Sequence, residues 1–169
     1  GAAKNVVLLS NATGGDFAKS ADIATDVMAL WGIEARNMEG AVDGITSVVT
    51  SSKFSINDYA LALAQGGGVA AAVGVEFNDF NATIAAISPS FASGSDAGTS
   101  FKVMLQRLVP STGPAVEAMK ELGLMSADGA NAFFTASGEM KSMAEIAGIL
   151  NRATKDLTDQ QRNQYASVI

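Results

Sequence analysis

An all-α fold is what this sequence predicts, on three observations. Apolar residues recur mostly three and four positions apart rather than two, the spacing of one helix face. Capping residues followed by glycine or proline stops punctuate the chain throughout. Apolar residues make up 48% of the chain but aromatic ones only 7%, so the core must rest on close helix contacts more than on large rings. With 169 residues there is chain enough for one well-buried core. The expectation is a single helical domain over residues 1–169, a compact bundle of about eight short helices with a small hairpin near 132–141.

The first helix is already running at Lys4 and is broken by Gly14 and Gly15, after which Asp16 caps the second. That helix, 17–31, places Phe17, Ala21, Ala24, Met28 and Trp31 on one face and ends at Gly32. A third, 38–51, carries Met38, Val42, Ile45 and Val49 at the same spacing. Ser55 with Asp58 forms a capping box, Phe54 is placed as its staple, and the helix runs to Gln65, where "GGG" at 66–68 interrupts it. A short turn of helix closed by Gly74 follows, then a helix over 77–88 halted by Pro89.

"SDAGTSFKVMLQRLVP", 95–110, spells a whole helix. Ser95 caps it, Asp96 complements its dipole, and Pro110 stops it; Ala97, Phe101, Met104, Leu105 and Leu108 form the stripe. Thr112 or Gly113 before Pro114 opens the next helix, which closes at Gly123 and Leu124 in a Schellman-like arrangement. From 125 to 141 the pattern loosens, and "FFTASGEM" reads as a hairpin or a turn about Ser137 and Gly138. Capping boxes at Ser142/Glu145 and Thr158/Gln161 open two last helices, the first striped by Met143, Ile146, Leu150 and Ala153, the second containing Tyr165 and Val168.

Chemistry is scarce. Seventeen acidic against eleven scattered basic residues leave a net charge of −6, so phosphate neutralisation cannot drive nucleic-acid binding. The chain has no cysteine, which excludes disulfides and thiolate metal sites, and no histidine, which excludes an ordinary nucleophile–imidazole triad. "GGGVAA" at 66–71 formally satisfies the dinucleotide fingerprint, but helical residues precede it and no acidic residue follows about 20 positions on; it reads as a flexible break. Asp22 and Asp26, with Lys19 to neutralise them, read as a solvated helix face, and so do Glu117 and Glu121 beside Lys120. "GAVDG" at 40–44 sets two glycines four apart, which admits a neighbouring helix closely. No catalytic, cofactor-binding or metal-binding residue is assigned, no cofactor is expected, and the reading is of a protein that is not an enzyme.

No signal peptide is spelled at the start, and the greasiest stretch, "ALALAQGGGVAAAVGV", is shorter than the roughly 20 apolar residues a bilayer needs. The triplets at Asn11 and Asn81 read as chance matches to the glycosylation pattern.

The order of the pieces then carries a resemblance. "GGDFAKSADIATDVMALWGIEARNMEGAVDGITSVVTSS", "SINDYALALAQGGGVAAAVGVEFNDFNATIAAIS" and "GSDAGTSFKVMLQRLVPSTGPAVEAMKELGL", in that sequence, resemble the core region of phage tail tape-measure proteins, and "GEMKSMAEIAGIL" and "LTDQQRNQYASVI" fit the same region. The motif-bearing residues are Ala97, Gly98, Thr99, Leu105, Arg107, Leu108, Pro110 and the Gly123 stop. Glu76, where the family usually has a Ser or Thr cap, and Phe91, where it usually has Gly, depart from the pattern.

The resemblance implies a fragment of a longer virion protein, from a phage or prophage, in the tail-tube lumen and, during assembly, in the host cytoplasm. It implies tail-tube and tail-tip proteins and tail assembly chaperones as partners, homo-oligomerisation, and roles in length determination and genome ejection. A different class of role is a membrane-active helical module at the host envelope after ejection. Its polar faces lack the Lys and Arg enrichment usual for that role.

Overall fold

Ten α-helical segments make up most of the computed structural model, which describes residues 2–169. They are α1 (Ala2–Thr13), α2 (Phe17–Trp31), α3 (Met38–Ser51), α4 (Ile56–Ala62), α5 (Gly68–Ala72), α6 (Phe77–Ile87), α7 (Gly94–Arg107), α8 (Gly113–Glu121), α9 (Met143–Thr154) and α10 (Asp159–Ala166). Short 3-10 turns cover Ala35–Asn37 and Ser88–Ser90, and a π turn, Leu63–Gly67, joins α4 to α5 without a break. The described residues contain no strand, and the all-α expectation holds. The chain divides into two compact units, Gly1–Val103 and Met104–Ile169, and the division falls inside α7.

In the first unit α1 packs on α2 and α3, α3 packs on α6, and α2 packs on α5. Leu9, Ile23, Val27, Ile45, Phe80 and Ile84 are fully buried there. Each such side chain contributes about 1.5–3 kcal/mol by leaving water. The buried face of α2 is not the expected stripe: Ser20, Ile23, Ala24 and Val27 point inward, Met28 is half-buried and Phe17 is 54% exposed. This helix is apolar on most sides, and its neighbours take the β-branched side chains inward. Trp31 lies at 5.1 Å from Phe77 and 5.3 Å from Phe80, and its indole N–H donates to the Val75 carbonyl at 2.8 Å. The Tyr59 hydroxyl, in the core, donates to Asn81 Oδ1 at 2.7 Å.

The three glycines at 66–68 do not interrupt the helix. Gly67 and Gly68 keep helical φ of −61° and −62°, and what Gly66 and Gly67 relieve is crowding. A Cβ at Gly66 would stand 2.8 Å from the Gly98 carbonyl oxygen, and one at Gly67 would stand 2.8 Å from the Leu63 side chain. The expected break is therefore a packing surface. Gly44 behaves as the sequence suggests, since a Cβ there would meet Asn81 Nδ2 of α6 at 2.8 Å, whereas Gly40 faces open space.

Residues 104–169 are held by a second, smaller set of buried side chains, among them Leu105, Leu108, Met119, Leu124, Phe133 and Ile146. Thr112 caps α8 by accepting from the Ala115 amide, and Pro114 follows in its first turn. The stop is a Schellman turn: Gly123 has φ +69°, and the Leu124 amide reaches back to the Met119 carbonyl at 2.8 Å. The expected hairpin near 132–141 takes the form of one antiparallel bridge, Phe134 to Met140, and a second bridge, Met125 to Asn131, precedes it. The capping boxes at Ser142/Glu145 and Thr158/Gln161 are both formed. Helix α10 has no buried residue; a hydrogen bond from the Tyr165 hydroxyl to Glu121 (3.0 Å) ties it to α8.

Adjacent glycines in one run should respond oppositely. Gly68→Ala, at an open helical site, should raise stability by about 0.5–1 kcal/mol, and Gly66→Ala should lower it by about 1–3 kcal/mol through overpacking against α7. Urea unfolding of the two variants beside the parent checks both signs.

Candidate functional site

Helix α7 begins earlier than its sequence suggests. Its cap is Ser93 rather than Ser95: the Asp96 amide donates to Ser93 Oγ at 3.2 Å, and that hydroxyl donates to the Asp96 carboxylate at 2.8 Å. Moving the start to Gly94 lays Gly94, Ala97, Gly98 and Phe101 on the buried face. A Cβ at Gly94 would overlap the Asp58 carbonyl oxygen, and one at Gly98 would come within 2.5 Å of the Ala62 carbonyl oxygen. Helices α4 and α7 therefore meet backbone to backbone along Asp58, Ala62 and Gly66 on one side and Gly94 and Gly98 on the other.

One carboxylate serves the starts of both helices. Asp58 Oδ2 accepts from the Ser55 amide (3.1 Å) and hydroxyl (2.8 Å), completing the capping box of α4, while Oδ1 accepts from the Gly94 amide at 3.1 Å. Partial burial pushes this carboxyl up. The hydrogen bonds from Ser55 and Gly94 and the charge of Lys53 outweigh that and hold it below its ordinary value. Neither the shared role of Asp58 nor the inward face of Gly94 is visible in a local reading. The available signal was the matched spacing of four between small residues on two distant segments.

The motif residues do not converge on one pocket. Ala97 and Gly98 are buried and Thr99 is exposed, all within the first unit. In the second, Leu105 and Leu108 are buried, the Arg107 guanidinium donates to the Ile169 carbonyl at 2.7 Å, Pro110 follows the end of α7, and Gly123 closes α8.

Residues 124–141 hold a feature the sequence reading passed over. Leu124–Ala132 and Phe133–Lys141 are two copies of one nine-residue hairpin, "LMSADGANA" and "FFTASGEMK". In each, the Ser126 or Thr135 amide donates to the carbonyl four residues on (2.9 and 2.8 Å), and its hydroxyl accepts from the amide at that same residue (3.0 and 3.1 Å). Gly129 and Gly138 take φ of +92° and +86°, which side-chain-bearing residues rarely adopt.

Two shallow grooves open in the first unit. One of about 440 Å³ is lined by Trp31, Ile33, Gly40, Ala41, Glu76 and Phe77, and one of about 250 Å³ by Asp26, Leu30, Leu63, Ala64 and Gly68. Neither brings together groups for bond chemistry. Among the described residues no cluster of three metal-ligating side chains exists, so Asp22 and Asp26 stand without a third ligand. The formal dinucleotide fingerprint at 66–71 lies inside a continuous helical run with two of its glycines buried, leaving no loop to cradle a phosphate. The negative charge concentrates in the first unit, with ten acidic against five basic residues, compared with seven against six in the second. No helix among the described residues is long and apolar enough to cross a membrane.

Comparison with known proteins gives two matches. Residues 1–169 match the family described as phage-related minor tail protein. The chain is also 28% identical over 160 residues to a tape measure protein of Pneumococcus phage Dp-1, an alignment that covers 95% of this chain and 13% of that relative. No solved structure matches the chain.

Asp58 makes the pH dependence of the fold testable. Its carboxyl titrates lower in the folded than in the unfolded chain, so its contribution is present above the unfolded value of about 3.9 and is lost as pH falls through the folded one. Asp58→Asn should therefore be less stable than the parent at pH 7, and the gap should close towards pH 3. Urea midpoints for both proteins across that range test this.

Proposed function

Because the chain belongs to the phage-related minor tail protein family, a structural component of the phage tail, we propose that these residues form a compact assembly and docking module within a longer tape-measure protein. In this reading the module lies in the tail-tube lumen of the virion. During assembly in the host cytoplasm it meets tail assembly chaperones, tail-tube and tail-tip proteins and other copies of itself, and it performs no bond chemistry. Length determination then falls to helices outside these residues, and the module leaves ahead of the genome at ejection.

Helix length is the observation that supports this division of labour. A single helix of 169 residues would reach about 250 Å at 1.5 Å per residue. The longest runs here, such as 56–72, reach about 25 Å. Runs this short bury their apolar faces only by folding on one another. Such a fold offers shaped surfaces rather than reach. The aligned span is also only 13% of the tape-measure relative, which leaves most of that protein's length to other segments.

Phage carrying an in-frame deletion of these residues should produce no tails under electron microscopy, because tube initiation fails. Tails made at normal yield and merely shortened in proportion to the deletion would contradict the docking role.

A further inference from the structure

Helix α7 is attached to the first unit in an unusual way, and the consequence is independent of the functional reading above. Elsewhere in that unit the buried faces of α2, α3 and α6 include large side chains beside smaller ones: Ile23 and Val27 on α2, Val42 and Ile45 on α3, Phe80 and Ile84 on α6. Along the first two turns of α7 the buried positions are Gly94, Ala97, Gly98 and Phe101. Two of these four have no side chain and a third has one methyl group. The opposing positions on the α4 side are Asp58, Ala62 and Gly66, which meet α7 through their backbones. Along this line the contact is made by backbone atoms and small side chains, each burying less apolar area than a Leu or Phe would.

What remains to hold it is localised. The Gly94 amide is bound to Asp58 at 3.1 Å, and Phe101 lies 5.9 Å from Phe80 at the far end of the contact. The Ser93–Asp96 cap lies within the α7 segment itself and moves with it. The surface beneath includes the π turn, Leu63–Gly67, a helical form that is seldom sustained beyond a single turn.

We propose that residues 94–101 of α7 form a detachable joint, which leaves the α4 surface as one unit while α1, α2, α3 and α6 stay folded. Opening requires one charged hydrogen bond to break and one aromatic ring to withdraw. Closing restores a contact whose register is set by the fit of Gly94 and Gly98 against Asp58 and Ala62. Since the first unit ends and the second begins within α7, tension applied from the C-terminal side of the chain reaches the first unit at this joint before any other helix.

Native-state hydrogen exchange on the full chain, read by peptide mass spectrometry in low denaturant, tests the joint. After correction for intrinsic rates, amides of 95–101 in the parent protein should exchange at least about tenfold faster than those of 38–51 and 77–87. Asp58→Ala and Gly98→Ala should each raise the 95–101 rate by about a further tenfold and leave 38–51 unchanged. Equal corrected rates for 95–101 and 38–51 in the parent would overturn the proposal, as would variants that accelerate all peptides together. The parent comparison requires no variant to fold.

Discussion

Most of these helices are at or below the length at which a helix is marginal in water by itself, so docking largely decides whether they persist. Nucleating a helix fixes several residues for one hydrogen bond, and runs under about 12–15 residues do not recover that cost alone. The chain answers with two kinds of contact. Around Ile45, Phe80 and Ile84 it uses large side chains, which exclude water over a wide area. Between α4 and α7 it uses glycine and alanine, which bring carbonyl groups of one helix against the backbone of the other. The first kind is strong and tolerant of repacking; the second is exacting in shape and weak in area.

The structural role in the phage tail rests on the family to which the chain belongs. The chain has no histidine or cysteine, its described residues hold no three-ligand metal cluster, and its grooves are shallow and open. Its excess negative charge is gathered in residues 1–103, where it opposes contact with phosphate backbones and leaves shape and apolar area to govern association with proteins.

Features that depend on three or four neighbouring residues were legible in the sequence. Asp16, Ser55 with Asp58, Thr112, Ser142 with Glu145 and Thr158 with Gln161 all cap as their spacing predicts, because a cap is satisfied within its own turn. Features that depend on a distant neighbour were not. The inward face of α2, the continuity through Gly66 to Gly68 and the Asp58 bond to Gly94 are each decided by another helix. The Ser93 cap escaped because Ser95, two residues later, offers the same chemistry. Of the paired hairpins, the one near 132–141 was expected; its partner at 124–132 escaped because alternation over two or three residues is too short to register as a strand, whereas the nine-residue recurrence was readable all along. The motif residues from Ala97 to Gly123 carry the family resemblance, and in the structure they are spread over α7, its end and the stop of α8.

The packing of the partly buried Trp31 has a practical corollary. It is the sole tryptophan, packed between Phe77 and Phe80 in residues 1–103, while residues 104–169 contain a single strongly absorbing ring, Tyr165. Indole emission therefore serves as a native optical gauge for one half of the molecule and is blind to local melting in the other. Emission and backbone dichroism recorded in the same melt would separate the two halves without any label.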